Sequence, residues 1–153
     1  MYFKIHFRPE SHHKTFLKLC LIYQGTYKFH VITFSDVAFK ATVTLDIRFS
    51  INIGHDFNSL ALHFNPRFKH QKDKKVIVIN STQGGSWGSE QKESNFPFQH
   101  DGEFKVVFSF NNDQFYIRLP DGTMVGFPNR FGDDRFDHLH VDGDVKIHSI
   151  KIL

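Results

Sequence analysis

The sequence predicts an all-β domain, a sandwich of two antiparallel sheets, and three observations predict it. From Thr42 to Ile53 polar and apolar residues alternate strictly. Val43, Leu45, Ile47, Phe49, Ile51 and Ile53 fall on one side, and Thr42, Thr44, Asp46, Arg48, Ser50 and Asn52 on the other. Phe104, Val106, Phe108 and Phe110 alternate in the same way with Glu103, Lys105, Val107 and Ser109. A period of two marks a strand with one buried face. Short runs of this kind recur between turn residues at regular spacing, the pattern of antiparallel sheets stacked face to face.

At 153 residues the chain is expected to form one domain, which buries about 68–70% of its unfolded surface and needs no disulfides to hold a core. Its 19 Phe residues make that core rich in aromatic rings. The net charge is +3, and the basic residues are scattered along the sequence except at Lys69–Lys75, which reads as a solvated loop. That distribution does not resemble the dense basic face of a nucleic-acid binder. A single cysteine, Cys20, cannot build an intramolecular disulfide framework and fits a reducing compartment. No stretch approaches the length of a membrane-spanning helix. The apolar run Phe16–Tyr23 is short, is interrupted by Lys18 and is not closely followed by a small-residue cleavage site, so it does not read as a signal peptide.

Residues 1–36 are the least patterned, with His12 and His13 clustered and strand propensity concentrated in Tyr27–Phe34. Thr42–Ile53 reads as one half-buried strand or as two joined by a bend, closed by a turn beginning at Gly54. Leu60–Phe68 is the next strand, and Pro66 inside it points to an edge or a bulge. Lys75–Asn80 is short and β-branched, Ser81–Ser86 is a loop around Gly84-Gly85, and Gly88–Lys92 starts another strand. Phe104–Phe110 turns through Asn111-Asn112-Asp113 into Phe115–Leu119. Pro120-Asp121-Gly122 then turns the chain into Met124–Phe127, because Pro presets φ and Gly tolerates positive φ. A helical turn is expected in Arg135–His140, and Val145–Ile152 closes the chain as a strand.

The candidate site lies between Leu60 and Lys92. Alternation puts His63, Asn65 and Arg67 on one face of a strand whose other face is Leu62 and Phe64. Asn80, Trp87, Glu90 and Lys92 follow. A row of donors and acceptors beside one broad aromatic surface suits a neutral polyhydroxylated ligand such as a sugar. Each residue alone has a plainer reading: a core tryptophan, a satisfied sheet histidine, or a surface Arg–Glu pair worth about 0–1 kcal/mol. His138 and His140 share a strand face, but with no third ligand in view they read as surface histidines.

Together, His63-Phe64-Asn65-Pro66-Arg67-Phe68, Asn80 and Trp87-Gly88-Ser89-Glu90-Gln91-Lys92 resemble the carbohydrate-recognition motif of the galectins, the β-galactoside-binding lectins. The similarity continues through Asn95-Phe96-Pro97-Phe98, Leu119-Pro120-Asp121-Gly122, Phe127-Pro128-Asn129-Arg130 and Asp142-Gly143-Asp144, and reaches upstream to Phe49–Gly54. The resemblance implies a jelly roll of the short single-domain type, with residues 37–153 as the recognition domain and residues 1–36 as a divergent segment of edge strands or extension. It implies that His63, Asn65, Arg67, Asn80, Trp87, Glu90 and Lys92 contact lactose- or N-acetyllactosamine-type glycans on glycoproteins or glycolipids. In the family the C–H face of galactose packs on the matching tryptophan.

Glu90 is expected between Arg67 and Lys92, holding both before the sugar arrives. Two positions depart from the pattern. Lys92 stands where Arg is usual, keeping the charge but losing the planar fork. Some relatives carry a histidine at the position of Gln71, whereas this chain has His70. The resemblance further implies no cofactor, no catalysis, no membrane insertion, and a cytoplasmic or extracellular location reached without a signal peptide. Because short members often pair through terminal strands, a homodimer is an expectation of the same kind. Glycoside hydrolysis needs two carboxylates flanking the bond, and Glu90 is the only one in the motif. The alternative is a protein of this fold that has lost sugar binding and serves a structural or protein-interaction role. Because no motif contact needs a metal ion, lactose affinity measured by calorimetry is expected to be the same with and without a chelator. A large loss on chelation would bring the histidines back as ligands.

Overall fold

The computed structural model describes residues 17–23, 26–34, 36–45 and 47–153. In chain order the strands are β1 (Leu17–Tyr23), β2 (Thr26–Phe34), β3 (Asp36–Val43), β4 (Phe49–Asp56), β5 (Ser59–His70), β6 (Asp73–Gln83) and β7 (Ser86–Trp87). They continue with β8 (Gln91–Glu93), β9 (Glu103–Phe110), β10 (Gln114–Arg118), β11 (Met124–Pro128), β12 (Phe136–Gly143) and β13 (Val145–Ile152). An eight-stranded sheet runs β1-β2-β12-β4-β5-β6-β7, with β8 also paired to β6, and a five-stranded sheet runs β11-β10-β9-β3-β13. All pairings are antiparallel.

The two inner faces meet through the phenylalanines. Ile51, Ile53, Leu62, Phe64, Ile77 and Ile79 from the larger sheet pack against Phe39, Phe104, Val106, Phe108, Phe115 and Ile117 from the smaller one. Ring pairs cross the gap: Phe64 meets Phe108 edge to face at 5.4 Å, and Phe49 stacks on Phe104 at 5.1 Å. Such pairs contribute about 0.5–1.5 kcal/mol each beyond the area they bury, which suits a core built largely from rings.

The Thr42–Ile53 alternation is two strands joined by a bend, and the bend is where the chain changes sheets. Thr44 N donates to Asp144 O at 3.0 Å, Asp144 N donates to Arg48 O at 3.0 Å and Phe68 N donates to Ile47 O at 2.9 Å, so the crossing segment is tied to the β12–β13 turn and to the end of β5. Side-chain alternation is interrupted there, and Leu45 and Ile47 point outward at 55% and 51% exposure instead of joining the core. The turn expected at Gly54 comes later, at Phe57-Asn58. Gly54 lies inside β4 at an irregularity in its pairing with β5.

Pro66 also departs from expectation, because β5 is a central strand flanked by β4 and β6. The register with β4 runs through Ile51↔Phe64 to the bridge Arg48↔Arg67, which sets Phe49 opposite Pro66. Proline has no N–H to give there. The Phe49 carbonyl accepts instead from Asn65 Nδ2 at 2.6 Å, so a side-chain amide takes over beside the missing backbone donor. The helical turn expected at Arg135–His140 is strand β12, paired to β4 on one side and β2 on the other. Two ladders plus the burial of Phe136, Leu139 and Val141 outweigh any local helical tendency.

A Cβ added at Gly54 would fall on the Ser59 carbonyl oxygen and within 2.7 Å of Leu60 Cα, both backbone atoms of the neighbouring strand. Gly54→Ala is therefore expected to lower stability by about 1–3 kcal/mol through overpacking. Urea unfolding measures this, and a parental midpoint would contradict the close approach.

Candidate functional site

The outer face of the eight-stranded sheet gathers the polar side chains that alternation turns away from the core. On β5, His63, Asn65 and Arg67 face outward while Leu62, Phe64 and Phe68 are buried beneath them. Register then builds a row across three strands, with Asn52 of β4 opposite His63 and His63 opposite Asn80 of β6. One step along, Asn65 faces Val78, which faces Lys92 of β8. Trp87 is delivered to the same face by a two-residue hairpin. Gly84 and Gly85 adopt φ of 58° and 81° between the paired Gln83 and Ser86, a geometry nearly restricted to glycine and asparagine, and β7 pairs Trp87 with Thr82.

Hydrogen bonds fix these groups before any ligand binds. Asn52 Nδ2 donates to Ser50 Oγ at 3.0 Å, which turns Asn52 Oδ1 toward His63 Nδ1 at 2.5 Å. His63 therefore carries its proton on Nδ1, and Nε2 is left as an acceptor. Arg67 Nε donates to Asn65 Oδ1 at 2.9 Å. Asn80 Nδ2 donates to Gly88 O at 2.9 Å while its Oδ1 accepts from Ser81 N at 2.8 Å and from Arg130 at 3.2 Å, pinning the turn that follows the tryptophan. Trp87 stands 56% exposed, at 62° to the His63 ring and 4.7 Å from it between centroids.

The carboxylate that joins the two cations is Asp73, not Glu90. Arg67 reaches Asp73 Oδ2 at 2.5 Å and Lys92 Nζ reaches Oδ1 at 2.7 Å, while Glu90 lies exposed in the connection between β7 and β8. Alternation explains the miss. Strand β8 starts only at Gln91, so Glu90 and Lys92 do not share a strand face as a continuous strand would require. The hydrogen bond from Lys92, then that from Arg67, hold the Asp73 carboxyl below its ordinary pKa against the opposing effect of burial. Asp73 is the one acid in the basic run Lys69–Lys75, which forms the hairpin between β5 and β6 with Gln71 at φ 53°. A lone carboxylate inside that run is the signal that could have found it.

Two further residues complete the site. Asn52 is buried at 1% exposure and was legible only as a polar position in the β4 alternation. Arg130 lies in the Phe127-Pro128-Asn129-Arg130 motif. Besides Asn80 it donates to Ser81 Oγ at 2.9 Å and Ser89 O at 2.8 Å, and it packs over the Phe127 ring at 4.8 Å. His138 and His140 are not surface residues: both are buried on this face, 2.9 Å apart between Nε2 and Nδ1, with Phe57 against their rings. Among the described residues no group of three His, Cys, Asp or Glu side chains is placed to hold a metal ion.

Burial, reinforced by the charges of Arg67 and Arg48, lowers the His63 pKa to about 4, with a hydrogen bond to the Asn65 side chain and then the charge of Asp142 opposing. The unfolded value is near 6.5, so the unfolded chain takes up a proton first as pH falls. The stabilising contribution is complete above pH 6.5 and is lost between 6.5 and about 4, on the order of 3 kcal/mol at most. NMR titration is expected to show the His63 imidazole neutral down to about pH 4. A midpoint near 6.5 would mean that the ring is not held in this environment.

Comparison with known proteins bears on this arrangement. A family profile described as galactoside-binding lectin matches residues 22–152, which includes β2 and so extends into the segment set apart on sequence. A β-galactoside-binding lectin of Electrophorus electricus is 40% identical over 125 residues, 76% of this chain and 92% of that protein. Among solved structures, lactose- and MES-liganded congerin II superposes with a TM-score of 0.80 at 30% identity, over 84% of this chain and 99% of that one. CG-16, a homodimeric agglutinin from chicken liver, superposes with a TM-score of 0.79 at 32% identity over the same shares of each chain.

Proposed function

The chain belongs to the galactoside-binding lectin family, and from that premise we propose that it binds β-galactosides of the lactose and N-acetyllactosamine type without catalysis. The ligand sits on the outer face of the eight-stranded sheet against His63, Asn65, Arg67, Asn80, Trp87, Glu90 and Lys92. The observation that carries this reading is the half-exposed Trp87 ring set against a histidine whose tautomer is already fixed.

A pyranose offers hydroxyls on its rim and one apolar face of C–H groups. His63 Nε2 accepts from a hydroxyl because Nδ1–H is committed to Asn52. Arg67, oriented by Asn65 and Asp73, keeps donors to spare among its five. The C–H face of galactose packs on Trp87, which favours the axial 4-hydroxyl over its epimer. Asn65 and Asn80 are nearly enclosed and make two or more bonds within the protein, so they act on the sugar mainly through the neighbours they hold.

The absence of catalysis in this reading follows from charge. Asp73, the carboxylate inside the network, is ionised between two cations and cannot donate a proton near neutral pH. Glycoproteins and glycolipids ending in β-galactosides are the implied partners. A homodimer, the assembly named for the chicken agglutinin, would present two such sites.

Lys92 is one of the two positions at which the chain departs from the family pattern. Its ammonium is a point charge directed at Asp73, whereas an arginine there would hold Asp73 and still direct donors at the sugar. One recovered charge-assisted hydrogen bond contributes roughly 1.5–3 kcal/mol, so Lys92→Arg is expected to strengthen lactose binding about tenfold or widen the disaccharides bound. Lys92→Ala is expected to weaken binding, and Trp87→Ala to nearly abolish it. Calorimetric titration with lactose tests all three. Parental affinity in Trp87→Ala would mean the site is misplaced, and a parent that binds no galactoside would leave a structural or protein-interaction role.

A further inference from the structure

The outer face of the five-stranded sheet, across the core from Trp87, holds the chain's excess of positive charge. Alternation turns Lys40, Lys105, Arg118, Lys146 and Lys151 outward, all exposed, while Phe39, Ala41, Phe104, Val106, Ile117, Ile147 and Ile150 beside them are buried. Register sets them shoulder to shoulder: Lys40 opposite Lys105, Lys146 opposite Thr42, Lys151 opposite Ala38. Two carboxylates share the face, Asp36 at the start of β3 and Glu103, which pairs with Lys40 at 2.6 Å. Five cations against two carboxylates leave this face at +3, equal to the net charge of the whole chain, so all other charges cancel. Like charges directly opposite on neighbouring strands oppose folding, and Lys40–Lys105 is such a pair.

The same face has an apolar side. Tyr116 of β10 and Met124 of β11 are 42% and 49% exposed, and Met124 stands opposite Arg118 in the register. Cations beside an exposed phenol ring and thioether match an anionic lipid–water boundary. There the ammonium groups meet headgroup charges, and an amphipathic ring sits at the level where lipid gives way to water. A sulfated polysaccharide would engage the cations but would leave Tyr116 and Met124 without a partner.

We propose that this face docks on the surface of anionic phospholipid membranes, without insertion, leaving the Trp87 site directed away from the bilayer. The inference rests on the five-stranded sheet alone and does not require that the opposite face binds sugar. Contact is electrostatic in the main, so it weakens as the screening length falls from about 8 Å at 0.15 M salt to about 3 Å at 1 M.

Flotation of the full chain with phosphatidylcholine vesicles, with and without phosphatidylserine, tests it. The parent is expected to float with the phosphatidylserine vesicles only, and to be released by salt. Lys105→Gln/Lys146→Gln/Lys151→Gln is expected to lower partitioning about a hundredfold, and Tyr116→Ser to lower it several-fold, each with an unchanged melting temperature. Should the triple variant lose stability, Lys146→Gln/Lys151→Gln on the edge strand β13 replaces it, with a loss of at least tenfold expected. No phosphatidylserine-dependent flotation of the parent, or undiminished flotation of a folded charge variant, overturns the proposal. So does retention on heparin without retention on vesicles, which would assign the face to a polysaccharide.

Discussion

Strand β5 is common to the core and to the site, and its register with β4 and β6 is the constraint on which both depend. Along Ser59–His70, Leu62, Phe64 and Phe68 enter the core while His63, Asn65 and Arg67 stand outside it. A slip of one residue would exchange the two sets, burying an arginine and exposing a phenylalanine. Burial of the phenylalanine rings therefore fixes the position of the polar row. The same register places a proline in a central strand, and the amide of Asn65 answers the carbonyl that Pro66 cannot serve. One polar residue thus supports both the ladder and the site.

The polar row is rigid because most of its hydrogen-bonding capacity is committed inside the protein. Asn52, Asn65 and Asn80 are almost fully buried and satisfied, and each orients a more exposed neighbour: His63, Arg67 and the Gly88 turn respectively. Asp73 does the same for two cations at once. Immobilised donors and acceptors lose little entropy when a ligand arrives, which is how a shallow, solvent-open surface can still select among hydroxyls. His63 illustrates the electrostatic side. Burial and two guanidinium groups keep it neutral, and neutrality leaves Nε2 an acceptor.

The two outer faces of the sandwich are chemically distinct although both arise from the same alternation. On the eight-stranded sheet the outward positions are amides, imidazoles and paired charges enclosed by neighbours. On the five-stranded sheet they are mostly isolated lysines, an arginine, a tyrosine and a methionine. Screening by water makes the second set inexpensive to expose and weak as a stabilising network.

The sequence by itself determined the all-β class and most of the strands, though not β1, most of β3, β7 or β12, and it singled out His63, Asn65, Arg67, Asn80, Trp87, Glu90 and Lys92 as the candidate set. A period of two and a chemically unusual cluster are both local patterns, visible without coordinates. What it misjudged depended on where strands begin, end and cross. Leu45 and Ile47 continue the apolar period but lie on the bend between sheets, Gly54 sits inside a strand, and Arg135–His140 is extended because ladders form on both sides of it. Only the tertiary structure decided that Asp73, not Glu90, joins Arg67 to Lys92, that Asn52 sets the His63 tautomer, and that lysines scattered along the chain converge on one face. Each is a contact between strands distant in sequence, and it is set by ladder register and the end points of strands, quantities that no single segment encodes.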